Sequence, residues 1–283
     1  MSSEAPAPAP SPSSGPAPAP APVNGGFGFG VAYAPFRADG TCKSEAEVKQ
    51  DINALSSYSV IRLYGVECNM ISNVLSAVQD TQQIWAGIYD VDKVDEQAAS
   101  LIAQVSNRWN KINTVNVGNE HVQTGKASVD QVTGAIGHAR NLLRYAGYNG
   151  PVVTVDTMIA MKENIALCTA SDFCAINCHA FFDGNVEAKD AGSFVLKWVQ
   201  EISTLAGGKR TVVAESGWPS SGGNNKAAIP AKSSQEAAIG SLKDVFQTDL
   251  ILYSAFDNVW LQDNAATFGV EKHWGIYGLA PSA

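Results

Sequence analysis

The 283-residue sequence predicts an α/β fold made of a single (β/α)8 TIM barrel. Short runs rich in β-branched and aromatic residues alternate with amphipathic stretches of helical length, which is typical of βα units with a parallel sheet. Eight such runs occur in about 260 residues, which is the size of this barrel. The alternative is an open doubly wound sheet, but the glycines before residue 31 do not form the GxGxxG loop that its first unit often carries.

The eight predicted strands are bounded by turn residues, and most end in an aromatic or acidic side chain. Each is short and largely apolar, as expected of strands covered on both faces. They span residues 26–33, 60–65, 83–90, 114–120, 151–157, 173–182, 210–218 and 250–257.

Amphipathic segments between these strands predict the helices. Ser44 with Glu47, and Ser128 with Gln131, form capping-box patterns, so a helix should follow each serine. Apolar residues recur at helical spacing in three further stretches, at 92–109, 191–206 and 234–247.

Residues 1–24 are rich in Pro, Ala and Ser, whereas residues 25–283 form the predicted barrel domain. The stretch APAPAPSPSSGPAPAPAP at 5–22 favours a disordered, polyproline II-like segment, because proline lacks the backbone donor and biases its neighbours to extended forms. Two interpretations stay open: a spacer that holds the domain off a wall, or the remainder of a disordered N-terminus.

Composition argues against several kinds of partner. The net charge is −8, and Lys and Arg do not cluster, which disfavours nucleic acid and anionic membranes. No window approaches the ~20 apolar residues of a membrane span. The low charged fraction of 16% and the Pro-rich start favour a secreted, extracellular protein with a neutral ligand, and a monomer is expected.

Cysteine and histidine spacing predicts disulfides and no metal site. The five cysteines contain no CxxC pair and the four histidines no HExxH motif, so neither a metal nor another cofactor is expected. An odd count allows at most two disulfides and leaves one thiol. We expect Cys42 to pair with Cys68, and Cys178 to be a packed thiol.

Two glutamates mark the predicted site. A barrel of this kind carries its site at the carboxyl ends of the strands. Glu120 ends the fourth strand and Glu215 the seventh, and each follows a buried run, where a carboxylate is costly unless it faces a cleft. These strands lie across the barrel mouth from each other. Paired carboxyl groups suggest glycoside hydrolysis, with retention if about 5 to 5.5 Å separates them.

The motifs around both glutamates are similar to those of glycoside hydrolase family 17, the β-1,3-glucanases. VVAESGWPS at 212–220 resembles the family's nucleophile segment, and NVGNE at 116–120 resembles its acid/base segment. The stretch at 41–69 is similar to the fungal cell-wall branch. The resemblance implies that Glu120 is the acid/base, that Glu215 is the nucleophile, and that Asn119 hydrogen-bonds the sugar 2-hydroxyl.

The resemblance also gives aromatic side chains a substrate-binding interpretation, because sugar rings stack on aromatic faces. Core packing is the alternative for each. Alternation should place one of Phe181 and Phe182 in the cleft, and we expect Phe182. Arg62 should brace one of the two glutamates. Glu271 resembles a late glutamate of the family's active-site cluster. The predicted substrate-binding set is Tyr33, Tyr64, Asn119, Phe182, Trp218, Glu271 and Trp274.

The sequence departs from the family pattern in two places. After the eighth strand, Asn258 and Leu261 lie near positions where plant members carry a glutamate and a lysine. Met158 follows the fifth strand where many fungal relatives have a tryptophan. The extra carboxylate and lysine of the plant cleft are therefore not expected here, and the stacking platform on the acceptor side should be missing or replaced.

The resemblance implies a retaining enzyme, most of all a β-1,3-glucanosyltransferase of the cell wall. Such an enzyme cleaves internal β-1,3-glucosidic bonds and passes the glycosyl unit to another glucan. A hydrolytic endo-β-1,3-glucanase is the first alternative, and a retaining enzyme for another β-glucan or a mannan is the second. A non-catalytic β-glucan-binding wall protein is an alternative of another class. The intact Glu120 and Glu215 motifs argue against it.

Overall fold

The computed structural model describes residues 26–283 and shows a closed barrel of eight parallel strands in sequential order. The predicted fold class is therefore confirmed. The Pro/Ala/Ser-rich segment predicted at 1–24 lies outside the described residues. The strands are β1 Gly30–Ala32, β2 Val60–Arg62, β3 Gln83–Ile88, β4 Ile112–Asn119, β5 Val152–Thr157, β6 Cys174–Asn177, β7 Thr211–Ser216 and β8 Leu250–Leu252.

Helices connect successive strands on the outside of the barrel. Both predicted capping boxes are present, at Ser44 before α1 and Ser128 before α4. Two helices separate β5 from β6, and the chain after β8 runs from 253 to 283 without a helix. The helices are α1 Glu45–Asn53, α2 Met70–Leu75, α3 Val94–Val105, α4 Val129–Tyr145, α5 Met158–Glu163, α6 Ala166–Ala170, α7 Ala191–Leu205 and α8 Lys232–Val245.

Most strands are shorter than predicted, because several apolar runs continue into the loops at the barrel mouth. The clearest case follows β6, where residues 180–183 form a 3₁₀ turn rather than strand. The Phe182 N–H donates to the His179 carbonyl oxygen (3.2 Å), so the chain has already left the sheet. Strand alternation was therefore the wrong reason for expecting Phe181 and Phe182 to point in different directions, because a 3₁₀ turn sets their directions.

Two apolar clusters build the core. The larger one fills the layer between the sheet and the helices. The smaller one fills the barrel interior around Trp85, whose ring makes edge-to-face contacts with Phe27 and Phe173. Because these two phenylalanines precede β1 and β6, the cluster seals the amino end of the barrel. Polar side chains can then occupy the carboxyl end without opening the core to water.

The cysteines pair as two disulfides. The predicted pair, Cys42 with Cys68, is confirmed, and a second joins Cys168 to Cys174. Cys178 is a free, buried thiol, as predicted, and burial raises its pKa. Across residues 26–283, no helix is both long and apolar enough to cross a membrane.

Candidate active site

A cavity of about 480 Å³ opens at the carboxyl ends of the strands. Its wall combines carboxyl, amide and imidazole groups with aromatic rings. Of the residues predicted from the sequence, those that line it are Tyr33, Tyr64, Asn119, Glu120, Phe182, Glu215, Glu271 and Trp274.

Glu215 lies within β7 and is almost fully buried, with 5% of its surface exposed. Its Oε1 accepts hydrogen bonds from Arg62 Nη1 (2.6 Å) and the Tyr64 hydroxyl (2.9 Å), while His179 Nε2 lies 3.2 Å from Oε2. Burial alone would raise the pKa of this carboxyl group. The Arg62 charge, the contacts with His179 and the Tyr64 hydrogen bond outweigh burial, so the pKa is lowered and Glu215 is ionised.

Arg62 links Glu215 to the opposite side of the cavity. Its side chain is fully buried, and Nη2 donates to Asn119 Oδ1 (2.8 Å) while Nη1 also donates to the Ala214 carbonyl oxygen (2.8 Å). The guanidinium carbon lies 4.6 Å from the centre of the Tyr64 ring and 5.7 Å from that of Trp85. The predicted brace is therefore present on Glu215, and cation–π contacts hold the guanidinium in place.

A bulge turns two consecutive residues, Asn119 and Glu120, to the same cavity. Strand alternation would place them on opposite faces. The register of β4 against β5 shifts between Asn116 and Asn119, and Gly118 has φ +77°. Glu120 itself has φ +56°, a conformation that is strained for a residue with a Cβ.

The backbone around Glu120 is held by β5. Its N–H donates to the Val155 carbonyl oxygen (2.9 Å). The Asp156 carboxylate accepts from the backbone N–H groups of Val122 (3.0 Å) and Gln123 (3.3 Å), two and three positions after Glu120. Asp156, the last but one residue of the predicted fifth strand, thus fixes the loop that carries Glu120.

The surroundings of the Glu120 side chain shift its pKa in the opposite direction to that of Glu215. Its Oε1 accepts from Asn177 Nδ2 (2.7 Å), and it has no arginine partner among residues 26–283. Burial and the negative charge of Glu215 raise its pKa above the usual value. One cavity therefore holds an ionised carboxylate and a carboxyl group that keeps its proton to higher pH, which is the pairing that acid-assisted displacement at an anomeric carbon needs.

Aromatic rings pack in pairs on the cavity wall, and Trp274 takes part in two of them, with Phe182 and with Tyr253 (ring centres 5.6 Å apart). Phe182 is 39% exposed, and its ring centre lies 5.8 Å from that of Trp274 at an interplanar angle of 38°. Phe36 and Trp260 form a further pair, with ring centres 5.0 Å apart. Tyr33 also lines the cavity, and its hydroxyl donates to the buried Asp51 (2.8 Å).

Trp218 does not line the cavity, so its predicted contact with substrate was wrong. Only 1% of its surface is exposed, and its ring packs edge-to-face on Phe181, which is itself fully buried. Its Nε1 donates to the Ile229 carbonyl oxygen (3.0 Å). Trp218 supports the aromatic wall from behind, because Phe181 in turn contacts Phe182 and Trp274.

Several residues in or next to the cavity were absent from the sequence prediction. His179 lines the cavity, whereas Asn177 lies behind the lining and is 2% exposed. Asn177 ends β6 and His179 lies two positions later, so the alternation of that strand was a usable signal. The other residues lie mostly in loops, where no periodicity applies; they include Phe36, Glu67, Tyr89, Tyr253 and Trp260. Asn258 and Leu261 also line the cavity. Burial raises the pKa of Glu271.

Within the described range, no group of three or more His, Cys, Asp or Glu side chains is arranged to hold a metal ion. The polar groups in and just behind the cavity wall are hydrogen-bonded to one another, as the contacts of Glu215 with Arg62 and of Glu120 with Asn177 show.

Comparison with known proteins finds fungal relatives that match over most of this chain. The chain is 44% identical over 250 residues to the cell surface mannoprotein MP65 of Candida albicans, covering 87% of this chain and 66% of that protein. It is 43% identical over 249 residues to the probable family 17 glucosidase SCW10 of Saccharomyces cerevisiae, covering 87% and 64%. The chain thus spans just under two thirds of the length of each.

A solved structure has the same fold. An active-site mutant of a Rhizomucor miehei β-1,3-glucanosyltransferase in complex with laminaritriose superposes with a TM-score of 0.76 at 23% identity, covering 90% of this chain and 96% of that one. The family described as the BtgE/BtgC glycoside hydrolase domain matches residues 30–275, which is nearly the whole barrel. The chain therefore belongs to the BtgE/BtgC glycoside hydrolase domain family, within glycoside hydrolase family 17.

Proposed function

We propose that this protein is a retaining β-1,3-glucan-active enzyme, and specifically a β-1,3-glucanosyltransferase. The observation that carries the proposal is the unequal pair of carboxyl groups in one cavity. The pKa of Glu215 is lowered and that of Glu120 is raised, so a nucleophile and an acid coexist over a range of pH.

In the first step, Glu120 gives its proton to the glycosidic oxygen while a Glu215 oxygen attacks the anomeric carbon. The bond from that carbon to the glycosidic oxygen breaks, and the shortened glucan leaves as an alcohol. A glycosyl ester remains on Glu215. Arg62 and Tyr64, which donate to Glu215 Oε1, hold the carboxylate in position for this attack.

In the second step, the ionised Glu120 takes a proton from the incoming hydroxyl group. That oxygen attacks the anomeric carbon from the face that the first product left, and the ester bond to Glu215 breaks. Two inversions give net retention. Water as the acceptor gives hydrolysis, whereas a glucan hydroxyl gives transfer and a longer product.

The lining of the cavity supports transfer over hydrolysis. Two aromatic pairs, Phe182 with Trp274 and Phe36 with Trp260, offer stacking surfaces for more than one sugar ring. A sugar held on such a surface is positioned to compete with water at high effective concentration. A structural relative is a β-1,3-glucanosyltransferase that was crystallised with laminaritriose, and this supports the choice of substrate.

The test is mass spectrometry of products from laminarihexaose, with the intact protein beside Glu215→Gln and Glu120→Gln. We expect oligosaccharides longer than six units from the intact protein and loss of activity in both variants. Products that are only shorter would make the enzyme a hydrolytic endo-β-1,3-glucanase. Undiminished glucan binding with no product from the intact protein would instead indicate a non-catalytic wall-binding protein.

The proposed setting is the fungal cell wall, outside the cell. One relative is named a cell surface mannoprotein, and others are probable glucosidases of fungi. The two disulfides fit an oxidising compartment. Soluble and wall-bound β-1,3-glucan are the proposed partners, and the net charge of −8 suits a neutral polysaccharide. Gel filtration tests the expected monomer.

A further inference from the structure

The end of β6 carries a side chain that touches the proposed acid/base and that the sequence prediction did not include. Asn177 is 2% exposed. Its Nδ2 lies 2.7 Å from Glu120 Oε1 and 3.3 Å from Asn119 Oδ1. Its own Oδ1 lies 3.5 Å from Arg62 Nη1. Asn177 thus lies between the guanidinium that braces Glu215 and the carboxyl group of Glu120.

The surroundings of Asn177 determine which way its amide points. Arg62 carries only donors, so the atom facing it must be the amide oxygen. The two atoms facing the other side are acceptor oxygens when Glu120 Oε1 is unprotonated, so that side must carry the NH₂ group. Reversing the amide would direct a donor at the guanidinium and an acceptor at Asn119 Oδ1, and both contacts would be lost.

This orientation makes the two oxygens of Glu120 unequal. Oε1 accepts a hydrogen bond from Asn177, whereas Oε2 accepts none from residues 26–283. A proton on Oε1 would point at the amide hydrogen atoms, which is repulsive. A proton on Oε2 keeps the Asn177 contact and remains available for transfer.

We propose that Asn177 is a positioning residue that places the transferable proton of Glu120 on Oε2 and stabilises the carboxylate that forms when the proton leaves. This inference rests on the proposed function and deepens it. As the proton moves to the glycosidic oxygen, negative charge develops on Glu120. The Asn177 hydrogen bond then becomes charge-assisted and strengthens, so it contributes more in the transition state than in the ground state.

Other charged and titratable groups also face Glu120. They are Glu215 from β7, His179 after β6, Asp156 from β5 and Tyr253 after β8, while Arg62 from β2 acts through Asn119. Burial and the Glu215 charge raise the pKa of Glu120, whereas the Asn177 hydrogen bond lowers it. Removing only Asn177 should therefore raise that pKa further, because the opposing influences stay in place.

The experiment compares the intact protein with Asn177→Ala and with Asn177→Asp, which keeps the shape but replaces the donor with an acceptor. We measure kcat/KM against pH on laminarihexaose and on a 2,4-dinitrophenyl β-laminaritrioside. The dinitrophenolate leaves without needing a proton. We expect the alkaline limb on laminarihexaose to move up by about one pH unit in Asn177→Ala, and further in Asn177→Asp.

The leaving group separates acid catalysis from general damage. Both variants should lose about tenfold or more in kcat/KM on laminarihexaose and no more than about twofold in kcat/KM on the dinitrophenyl substrate, because kcat/KM for that substrate reports only formation of the glycosyl ester. Asn113→Ser is the matched control, since Asn113 lies at the start of β4, at the opposite end of the barrel, and donates to Gln83 (3.1 Å). Thermal unfolding monitors folding in every variant.

Three outcomes are distinguishable. A shifted limb with a leaving-group-dependent loss supports the role of Asn177. Equal losses on both substrates with an unshifted limb would overturn it and leave Asn177 as a packing residue. An intact protein that turns over neither substrate would overturn the proposed function itself, whatever the variants do.

Discussion

At the scale of single residues, the cavity is organised around one buried cation. Arg62 is fully buried and pairs with Glu215 at 2.6 Å. Breaking a buried ion pair by removing one partner leaves an uncompensated charge, which costs about 3–5 kcal/mol. The Arg62→Met substitution therefore tests how much of the fold and of the chemistry depends on this one contact.

We expect Arg62→Met to lose activity and to reverse the pH dependence of local stability. In the intact protein the pKa of Glu215 lies below 4.5, so its contribution to stability is present above about pH 4.5 and is lost as the pH falls through the lowered pKa. Without Arg62, burial raises this pKa, and the variant gains stability as the pH falls and Glu215 takes up a proton. Urea unfolding of both proteins at pH 7 and pH 5 tests this, because the Glu215 contribution in the intact protein stays constant over that range while the variant should be less destabilised at pH 5. A variant that is equally destabilised at both values would contradict the reversal.

The backbone conformation of Glu120 lowers the stability of the fold, and it places the proposed acid/base in the cavity. At φ +56°, a residue with a Cβ is less stable than glycine by about 1 kcal/mol. Both Glu120→Gly and Glu120→Ala remove the carboxyl group and the Asn177 contact, so their difference isolates the backbone. We expect Glu120→Gly to unfold at the higher temperature and both variants to be inactive on laminarihexaose. Equal melting temperatures would show that this conformation is not strained.

At the scale of elements, the helix starts could be predicted from the sequence, whereas the loops at the barrel mouth could be described only from the structure. The capping boxes at Ser44 and Ser128 were predicted because the required residues lie three positions apart in one short segment. Phe182 reaches the cavity from a 3₁₀ turn, and Trp218 is buried just after β7. Both outcomes depend on where the chain leaves the sheet, which hydrophobic periodicity does not encode.

The same distinction separates the parts of the site. Glu120 and Glu215 were predictable because an acidic residue after a buried run is costly unless it has a use. The hydrogen bond from Asn177 to Glu120 was not predictable, since it joins residues 57 positions apart and depends on the barrel closing in register. Asn119 and Glu120 share one cavity only because β4 is bulged.

One disulfide connects two loops of the cavity wall. Cys42 follows β1 and Cys68 follows β2, and their neighbours Phe36 and Glu67 line the cavity. In the chain-entropy model, a crosslink with a sequence separation of 26 contributes about 3–4 kcal/mol. We expect the Cys42→Ser/Cys68→Ser double variant to unfold at lower temperature and to show a higher KM for laminarihexaose.

The second disulfide provides the matched control. Cys168 and Cys174 are separated by six positions and lie at α6 and at the start of β6, away from the cavity. The Cys168→Ser/Cys174→Ser variant should also lose stability, because both sulfur atoms are fully buried, but it should keep its KM. Equal effects of the two double variants on KM would show that the first disulfide does not shape the wall.

At the scale of the whole molecule, apolar side chains pack at the amino end of the barrel and polar side chains lie at the carboxyl end. Trp85 and its aromatic neighbours seal the amino end, and Arg62 lies over the Trp85 ring as the first polar layer. The two carboxyl groups sit above this layer, where burial shifts both pKa values and the guanidinium corrects only that of Glu215. The asymmetry between the glutamates follows first from Arg62, which reaches across the closed barrel to Glu215, and then from the contacts of His179 and Tyr64 with the same carboxylate.

This asymmetry predicts a bell-shaped dependence of kcat/KM on pH for laminarihexaose. Activity should fall in acid as Glu215 gains a proton through its lowered pKa, and in alkali as Glu120 loses its proton through its raised pKa. The dinitrophenyl β-laminaritrioside assigns the limbs, because formation of the glycosyl ester from it needs a nucleophile but no acid. We expect the acid limb to remain with that substrate and the alkaline limb to disappear. If the alkaline limb persisted unchanged, it would belong to a group other than Glu120, and the division of roles between the two glutamates would have to be reversed or abandoned.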